Sequence, residues 1–506
     1  MKVTELFLGS RSWIGLLIMS LLFFIFVAMI TGSVPPKQRA CPGDSLDAFL
    51  SHMNNRIPAL MRQHQIPGCS IALVQNHEIA WLQAYGYADL ETGRIMTSDT
   101  QMRVQSISKS VTAWGVMNLV EQGAIDLDAP VSQYLKSWRP PEKDHALGTI
   151  TVRHLLSHTA GLPLGDVFTT YSPDEEMPSL KEKLTQEVVL EDEPGIGFSY
   201  SNTGYNLLEL LIEEVTGLDF SEYMRREVFL PLGMKGASFN WDSTMMPAPP
   251  TGYDLNGKPV PVYVYPEKAS GGLFATAYDI ARFTMAGMGD NPVLSTESIE
   301  RLYKPVSDKI GIYDLVFDAY GLGHYIEKLP NGMLSISHGG QGSGIMTHFQ
   351  AVPETGDGIV ILTNSQRSWP FIAYLLTDWA QWRGFPSVGM GKIIWGRYAL
   401  SAIIGMLMAV AFMLLLRVLA ASCRRKLAQK QFEYYGIQWT QVTVALAIIG
   451  LMLWCARQKY LFLTSVFPIL SYWLGAALLI FAVVLLLHGI LLGTKTSAGT
   501  ISNLNK

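Results

Sequence analysis

A chain of 506 residues is too long for one compact core, so we expect two or more structural units. The net charge is -4 with 16% charged residues, which argues against a nucleic-acid-binding surface. Hydrophobic residues make up 49% of the chain, a high share for a soluble enzyme, and they are concentrated towards the two ends.

Residues 13–31 are the first predicted element, an uncharged run long enough to cross a bilayer. Lys2 and Arg11 precede it and should stay in the cytoplasm. The run is either a signal peptide or a retained anchor. No small-x-small cleavage site follows at the right distance, and Cys41 lacks the apolar lead-in of a lipoprotein site, so an anchor is favoured. We therefore assign residues 1–32 to an N-terminal transmembrane anchor or signal segment.

Residues 33–390 form the second predicted unit, in which strands and helices alternate. Strands near its two ends are joined by short turns such as Asn76-His77, which predicts an antiparallel sheet. The middle, roughly 106–300, is mostly helical and loop. The predicted fold class is therefore α/β (α+β), an antiparallel sheet flanked by helices with an inserted helical region. The predicted strands are 69–75, 79–87, 333–338, 345–352 and 358–363, and the predicted helices are 106–123, 203–216, 277–288 and 370–383.

Two of the four cysteines, Cys41 and Cys69, fall in this unit. A disulfide between them is permitted in an exported domain. However, Cys69 in GCSIALV has the surroundings of a buried strand residue, which favours a small core side chain. Whether the two cysteines pair stays open from the sequence.

The segment QSISK at 105–109 places a lysine three residues after a serine at the start of an apolar helix. Positions i and i+3 lie on one helix face, so the hydroxyl of Ser106 and the amine of Lys109 should be side by side. A partly desolvated lysine can lose its proton near neutral pH, which would make the pair a nucleophile with its base. The alternative is an N-cap serine followed by an exposed lysine.

His154 and His158 are four residues apart, a spacing that suits zinc. However, no glutamate occupies the second position of a His-Glu-x-x-His motif, and the sequence indicates no third ligand. We therefore expect no metal at these residues and no cofactor in the protein.

Residues 194–205, PGIGFSYSNTGY, contain the only Tyr-x-Asn of the chain. A tyrosine near a lysine cation has its pKa lowered, so Tyr200 could shuttle a proton between nucleophile and leaving group. Asn202 would supply an amide that orients a substrate carbonyl. The alternative is a packed aromatic residue in a turn.

Residues 335–344, SISHGGQGSG, place His338 at the end of a strand. Gly339 and Gly340 follow, which would let a substrate approach the backbone closely. The N–H groups of Gln341 and Ser106 could together stabilise a developing oxyanion. The alternative is a structural histidine followed by a turn.

Residues 391–506 contain three further apolar runs, which predict a C-terminal all-α transmembrane bundle with three helices. The loop after the first run is rich in basic residues, whereas the loop after the second has only two. Positive loops stay in the cytoplasm, so we predict a multi-pass cell-membrane protein whose residues 33–395 are extracytoplasmic. The runs are 399–416, 439–456 and 469–492, and the basic residues are Arg424, Arg425, Lys426 and Lys430 in the first loop and Arg457 and Lys459 in the second.

The motifs around Ser106, Tyr200 and His338 follow one another along the chain as Ser-x-x-Lys, Tyr-x-Asn and His-x-Gly. In this order they resemble the serine β-lactamase-like family, which includes class C β-lactamases, D,D-carboxypeptidases, D-aminopeptidases and esterases. The resemblance covers about residues 45–385 and extends to three supporting segments. The first of these segments contains His154 and His158, the two histidines considered for zinc, and the resemblance implies that they are loop and helix-cap residues. The segments are ITVRHLLSHTAGLP at 150–163, FLPLGM at 229–234 and SGGLFATAYDIARF at 270–283.

The resemblance implies a role for each motif residue. Ser106 would be the acylated nucleophile and Lys109 its base or proton relay. Tyr200 would be the general acid/base, and Asn202 would contact the substrate amide. His338 stands where the β-lactamases of this kind carry a lysine. Because members with histidine here include D,D-peptidases and D-amino-acid peptidases, peptidase or esterase activity is favoured over β-lactamase activity. A neutral histidine would also bind a carboxylate less well than a lysine does.

The favoured function is a membrane-anchored serine hydrolase that forms an acyl-enzyme with D-amino-acid-containing peptides. A β-lactamase or esterase would use the same chemistry with another pocket. A β-lactam or peptide sensor acylated without turnover is a third candidate, which the short cytoplasmic segments disfavour, and a catalytically silent binding domain is a fourth. The expected partners are a peptide or small amide or ester substrate and the lipid bilayer, but no nucleic acid; a partner membrane protein is left open.

Overall fold

The computed structural model describes residues 12–30, 41–140, 148–167, 169–427, 437–458 and 461–492. The chain divides into two compact units. The large unit comprises residues 38–392, and the helical unit comprises residues 1–37 together with 393–506. The domain limits predicted from the sequence, after residues 32 and 390, fall a few residues before these boundaries.

Regular elements are labelled in chain order within the described residues. The helices are α1 (Ser12–Ile30), α2 (Leu46–His64), α3 (Ile107–Glu121), α4 (Val152–Leu156), α5 (Leu180–Glu187), α6 (Asn202–Thr216), α7 (Phe220–Met224), α8 (Leu230–Leu232), α9 (Ala277–Ala286), α10 (Thr296–Tyr303), α11 (Trp369–Trp382), α12 (Lys392–Leu427), α13 (Trp439–Arg457), α14 (Phe462–Val466) and α15 (Pro468–Leu491). The strands are β1 (Gly68–Gln75), β2 (Glu78–Asp89), β3 (Arg94–Ile95), β4 (Met102–Arg103), β5 (Gly252–Tyr253), β6 (Pro259–Val260), β7 (Phe274–Ala275), β8 (Ala319–Tyr320), β9 (Tyr325–Lys328), β10 (Leu334–Gly342), β11 (Ile345–Val352) and β12 (Asp357–Thr363).

The large unit is built on one antiparallel sheet with the strand order β3-β2-β1-β12-β11-β10-β9-β8. Asn76 and His77 connect β1 to β2, and their φ angles of 51° and 64° are the left-handed values that a type I′ hairpin turn requires. β1 pairs with β12, so strands from the two ends of the unit meet in the middle. The residues between β3 and β8 are inserted between the two strand sets. The predicted fold class is confirmed.

Helices cover both faces of the sheet, which explains why its central strands are almost continuously apolar. On β1, Ala72 belongs to a core that includes residues of α3 and α9. Cys69 points to the opposite face, since residues three apart on a strand face opposite sides, and its Sγ lies 3.7 Å from the Sδ of Met61 on α2. The rings of Phe49 on α2 and Trp382 on α11 stack with their centroids 4.2 Å apart. The helices α2 and α11 therefore form one outer layer.

Cys41 and Cys69 are not joined by a disulfide: Cys41 is exposed and Cys69 is buried. Burial raises the pKa of the Cys69 thiol. The interpretation of Cys69 as a core side chain is therefore supported.

The inserted region fixes α3 against the sheet. The strand β4, just before α3, pairs with β7, and the N–H of Val104 donates to the carbonyl of Leu273 at 2.8 Å. α3 is buried on all sides, as an apolar helix without a polar face should be. Its polar side chains have partners: Ser108 Oγ accepts from the N–H of Leu273 at 3.1 Å, and Ser110 Oγ donates to the carbonyl of Gly323 at 2.6 Å. These bonds fix the helix that carries the Ser-x-x-Lys motif.

Within the described residues, three helices are long and apolar enough to cross a membrane, at Gly389–Cys423, Trp439–Arg457 and Pro468–Leu491. They include the three apolar runs predicted in this part of the chain, apart from the last residue of the third. Lys2, Arg11, Lys430 and Lys459, on which the predicted orientation partly rests, lie outside the described residues.

The N-terminal helix α1 packs inside the helical unit. Val27 of α1 is buried in a cluster with residues of α12 and α15, among them Ile404 and Leu470. At Gly405 the backbones of α12 and α1 come so close that a Cβ would lie 2.8 Å from the backbone nitrogen of Phe24. This close contact depends on a residue without a side chain, as is common between membrane helices.

Candidate active site

The strand β4 turns into α3 at Gln105, whose φ of 55° is a left-handed value that favours glycine. The turn leaves Ser106 half-buried at the start of the helix, between two buried neighbours. The Ser106 side chain makes no capping hydrogen bond. Ser106 therefore occupies the N-cap position without capping the helix, and its hydroxyl has other partners.

Lys109 is completely buried beside Ser106, and its Nζ lies 3.1 Å from Ser106 Oγ. The Nζ also donates to Asn202 Oδ1 at 2.6 Å and to the carbonyl oxygen of Ser270 at 2.7 Å. Burial lowers the pKa of Lys109 well below its ordinary value. The alternative of an exposed lysine is wrong, and the surroundings favour the neutral amine.

The hydrogen bonds of Lys109 also orient its lone pair. A neutral amine has two hydrogens and one lone pair. The two oxygens on Asn202 and Ser270 can only accept, so they take the two hydrogens. In an ammonium group the third hydrogen donates to Ser106 Oγ, 3.1 Å away; once that proton is lost, the lone pair faces Ser106 and can accept the hydroxyl proton. This is the arrangement of a nucleophile hydrogen-bonded to its base.

The backbone carbonyl of Ser270 is positioned by Glu209 on α6. Glu209 Oε2 accepts from the N–H of Lys268 at 2.6 Å and from the N–H of Ala269 at 2.8 Å. Burial raises the pKa of Glu209 to about 8, so the carboxyl is protonated at neutral pH. No motif indicated this residue. Its one sequence signal is that it follows Asn202 by about two helical turns and so shares its helix face.

Tyr200 brings a phenol to Ser106. The two side chains are hydrogen-bonded, and the ring centroid of Tyr200 lies 5.0 Å from Lys109 Nζ. The prediction that a lysine cation lowers the pKa of Tyr200 is wrong. Burial raises this pKa well above its ordinary value, and a neutral Lys109 supplies no charge to oppose the effect. Tyr200 is therefore a protonated phenol at neutral pH.

Tyr200 and Asn202 stand where a loop ends and α6 begins. The loop runs along residues 158–164, and the N–H of Asn202 donates to the carbonyl of Leu164 at 3.0 Å. Ser201 caps α6 with its side chain. The Tyr-x-Asn motif therefore places its first residue on the loop and its third on the helix, where its amide oxygen reaches Lys109.

His338 on β10 is almost fully buried. Its Nδ1 lies 2.7 Å from the carbonyl oxygen of Gly339, and its Nε2 lies 3.2 Å from Tyr320 Oη. A carbonyl only accepts, so Nδ1 carries the proton and Nε2 accepts from the Tyr320 hydroxyl. Burial lowers the pKa of His338 well below its ordinary value. His338 is thus a neutral imidazole with both ring nitrogens hydrogen-bonded.

The glycines after His338 are required by the packing of the protein itself. A Cβ on Gly340 would lie 2.3 Å from the carbonyl oxygen of Val104, and a Cβ on Gly339 would lie 2.8 Å from the ring of Trp369. β10 therefore lies directly against the residues that precede the nucleophilic serine. These contacts account for the glycines, where the sequence suggested room for a substrate.

The structure joins four of the predicted residues, Ser106, Lys109, Tyr200 and Asn202, through direct hydrogen bonds. His338 reaches this group through its ring, whose centroid lies 6.4 Å from that of Tyr200. Gln341 follows on β10, where its Oε1 accepts from the Trp369 indole N–H at 3.1 Å. The residues of this site that sequence reasoning missed are His158, Glu209, Ser270 and Tyr320.

The two histidines considered as zinc ligands have separate local roles. His154 Nδ1 accepts from the N–H of Thr151 at the start of α4. His158 lies beyond the other end of that short helix, where its Nδ1 accepts from the N–H of Ser201 at 3.1 Å. Within the described ranges, no group of three or more His, Cys, Asp or Glu residues could hold a metal ion.

Known proteins share this architecture. The family model described as Beta-lactamase matches residues 53–377. The chain is 25% identical over 342 residues to penicillin-binding protein 4* of Bacillus subtilis, across 62% of this chain and 72% of that protein. It is 31% identical over 224 residues to esterase EstB of Burkholderia gladioli, across 42% and 56% of the two chains. The octameric penicillin-binding protein homologue from Pyrococcus abyssi superposes with a TM-score of 0.58 at 26% identity, covering 69% of this chain and 81% of that one.

Replacing Glu209 by Gln should flatten the pH dependence of stability. The pKa of Glu209 is about 8 in the folded state against 4.5 ordinarily, so the stability it contributes is full below pH 4.5 and is lost as the pH rises through 8. At about 1.4 kcal/mol per pH unit, the unfolding free energy of the wild type should fall by about 3–4 kcal/mol relative to Glu209→Gln between pH 5 and 8. Urea unfolding of the full chain in detergent measures this difference.

The control for this substitution is Glu209→Leu, which leaves the N–H groups of residues 268 and 269 without an acceptor. We expect Glu209→Gln to keep activity at pH 7 within about threefold, because Gln has the shape of the protonated acid, and Glu209→Leu to lose at least about tenfold. If the free energy of unfolding depends on pH in the same way for the wild type and Glu209→Gln, then Glu209 has its ordinary pKa in the folded protein, which would contradict the prediction.

Substituting Gly340 by Ala should displace β10 from the nucleophile. The new Cβ would lie 2.3 Å from a backbone oxygen, and overpacking of this kind costs about 1–3 kcal/mol. We expect a loss of stability in that range together with at least a tenfold loss of kcat/KM. Gly148→Ala is the matched control, because a Cβ there meets nothing within 4 Å. Equal stability and kcat/KM for the two variants would contradict the packing argument.

Proposed function

Because the chain belongs to the Beta-lactamase family of serine hydrolases, we propose that it cleaves amide bonds in D-amino-acid-containing peptides through an acyl-enzyme on Ser106. One observation carries this proposal: the buried amine of Lys109 is held by Asn202 Oδ1 and the Ser270 carbonyl at 3.1 Å from the Ser106 hydroxyl. Serine is a weak nucleophile until a base takes its proton, and Lys109 is that base.

Acylation begins when the Ser106 proton moves to Lys109 Nζ and Oγ bonds to the substrate carbonyl carbon. The N–H groups of Ser106 and Gln341 stabilise the negative charge that develops on the carbonyl oxygen. Asn202, whose amide oxygen is engaged by Lys109, directs its NH₂ group to another carbonyl of the substrate. The product of this step is a tetrahedral intermediate on Ser106.

Tyr200 completes acylation as a proton donor. Its raised pKa keeps the phenol protonated, so it can give its proton to the leaving nitrogen as the C–N bond breaks. The proton held by Lys109 then replaces the one that Tyr200 has lost. In deacylation a water molecule attacks the ester and gives a proton to the pair Tyr200 and Lys109. Ser106 Oγ takes a proton back from this pair when the acid product leaves.

The substrate class follows from His338. Family members with histidine at this position include peptidases for D-residues, which supports a D-amino-acid peptide. Because His338 is neutral and both its nitrogens are engaged, it offers no fixed cation to a carboxylate. This favours a D-stereospecific peptidase that cleaves an internal bond over a D,D-carboxypeptidase or a β-lactamase. An ester is the second candidate, because the 31% identical relative is named an esterase.

The helical unit supports a location in the membrane. Three of its helices are long and apolar enough to cross a bilayer, and α1 packs among them, as expected of a retained anchor. The basic residues predicted for the first loop, of which Arg424, Arg425 and Lys426 lie in the last turn of α12, would stay in the cytoplasm, and the large unit would then be extracytoplasmic.

Ser106→Ala should abolish hydrolysis while the fold is kept. We expect kcat for an internal D-residue peptide to fall by at least about 10³-fold, as when a serine nucleophile is removed, with Tm unchanged within a few degrees. Lys109→Met, which matches the side-chain length, should lose a similar factor. Hydrolysis followed on the full chain in detergent measures both variants, and full activity of Ser106→Ala would overturn the nucleophile assignment.

A substrate panel tests the specificity part of the proposal. A peptide ending in D-Ala-D-Ala, its C-terminal amide, an internal D-residue peptide with its L-residue twin, a nitrophenyl ester and a fluorescent penicillin are compared. We expect the amide and the internal D-peptide to be cleaved faster than the free carboxylate. Faster cleavage of the carboxylate would favour a carboxypeptidase, and one stable penicillin label per chain without turnover would favour a sensor.

Alkaline phosphatase, which is active only after export, tests the orientation. A fusion after Lys430 should be inactive and a fusion after Lys459 should be active, because the two sites follow the first and the second of the three predicted transmembrane runs. Green fluorescent protein fused at the same two sites is the control and should give the opposite pattern. The reverse result in both series would place the large unit in the cytoplasm.

A further inference from the structure

His158 occupies a backbone position that usually belongs to glycine. It follows the C-terminal end of α4, where the N–H of His158 donates to the carbonyl of Leu155 at 3.4 Å and the N–H of Thr159 donates to the carbonyl of His154 at 2.9 Å. This pair of bonds is a Schellman motif, whose left-handed residue is most often glycine. His158 takes that place with a φ of 58°. A histidine kept in such a conformation points to a use for its side chain.

Two hydrogen bonds from His158 enclose the tyrosine of the site. Its backbone carbonyl accepts from the N–H of Ser199 at 2.8 Å, and its Nδ1 accepts from the N–H of Ser201 at 3.1 Å. Tyr200 lies between these two residues. His158 therefore fixes the backbone on both sides of Tyr200.

The imidazole ring also packs against the phenol. The ring centroids of His158 and Tyr200 are 4.3 Å apart, and the rings of Tyr205 and Tyr320 lie 5.2 Å and 4.9 Å from His158. His158 is 1% exposed. The side of the Tyr200 ring that faces His158 is therefore closed to water.

The hydrogen bond to Ser201 fixes the tautomer of His158. Nδ1 accepts a hydrogen bond, so the proton must sit on Nε2, which has no hydrogen-bond partner among the described residues. Burial lowers the pKa of His158 well below its ordinary value and keeps the ring neutral. A protonated ring would turn an N–H against the N–H of Ser201 and break the bond.

We propose that His158 is a positioning residue for the hydrolysis, which holds the Tyr200 hydroxyl at Ser106 through the acceptor Nδ1. This role rests on the proposed function, since it assumes that Tyr200 transfers the proton. The fold of α6 does not depend on the bond, because Ser201 caps that helix with its own side chain. Loss of the acceptor should therefore affect the orientation of Tyr200 rather than the helix that follows.

Two substitutions separate the acceptor from the backbone conformation. Asn and Gly both tolerate a left-handed φ, but only Asn carries an oxygen near the place of Nδ1. For the full chain in detergent and an internal D-residue peptide, we expect His158→Asn to keep kcat within about fivefold. His158→Gly should lose at least 30-fold in kcat, with KM within about threefold. If His158→Gly does not fold, His158→Gln replaces it, since its amide reaches the ε rather than the δ position, and its kcat should fall at least tenfold below that of His158→Asn.

The outcomes are distinct. Equal kcat values for His158→Asn and the variant without the δ acceptor, whether both are high or both are low, would overturn the proposal. The control is His64→Asn, a substitution of an equally buried histidine on α2, which should change kcat less than threefold. Tyr200→Phe and Ser106→Ala are measured in the same panel. If these two lose activity while all His158 variants keep it, only the positioning role fails; if Tyr200→Phe keeps activity, the proposed mechanism itself fails.

Discussion

The site depends on a lysine amine that is buried without a counter-charge. Taking an ammonium group out of water is costly, so the folded protein favours the uncharged form of Lys109. Both oxygens that hold it, on Asn202 and Ser270, are neutral acceptors. A carboxylate in either place would favour the ammonium form and leave no lone pair for Ser106. The hydrogen-bond partners of the amine must therefore be polar but uncharged. Glu209, which is protonated, and His338, which is neutral, are also uncharged, although they are not direct partners of Lys109.

Backbone contacts, as much as side chains, place these uncharged groups around Lys109. The strand pair β4–β7 brings the segment around Ser270 to the first turn of α3, and Glu209 fixes that segment by two N–H groups. On the other side, glycines of β10 let the strand lie against Val104 and Gln105. These contacts leave the side chain of Ser106 half-buried among buried neighbours.

Local rules predicted much of the fold and the first part of the site. The sequence predicts β1, β2, β11, β12 and the helices α3, α6, α9 and α11 close to their observed bounds, because their patterns are long and their turns are clear. The end predicted for β10 at His338 is wrong: the strand continues to Gly342, because its glycines pair with β11 instead of forming a turn. The proximity of Ser106 and Lys109 followed from the helical repeat alone. The direction of the Tyr200 pKa shift was wrong, because nearby charge and burial compete, and only the three-dimensional surroundings show that burial dominates. His158 could not be assigned from sequence, since its partners, the N–H of Ser201 and the rings of Tyr200 and Tyr320, are at least 42 residues away along the chain.

The placement of Ser106 and Lys109 on a helix buried on all sides has a consequence for dynamics. α3 belongs to the same apolar cluster as the central strands and α9, so it opens to solvent only when that core comes apart. Slow amide exchange should extend from the sheet into the first turns of α3. Partial openings of the outer loops then leave the nucleophile and its base in register.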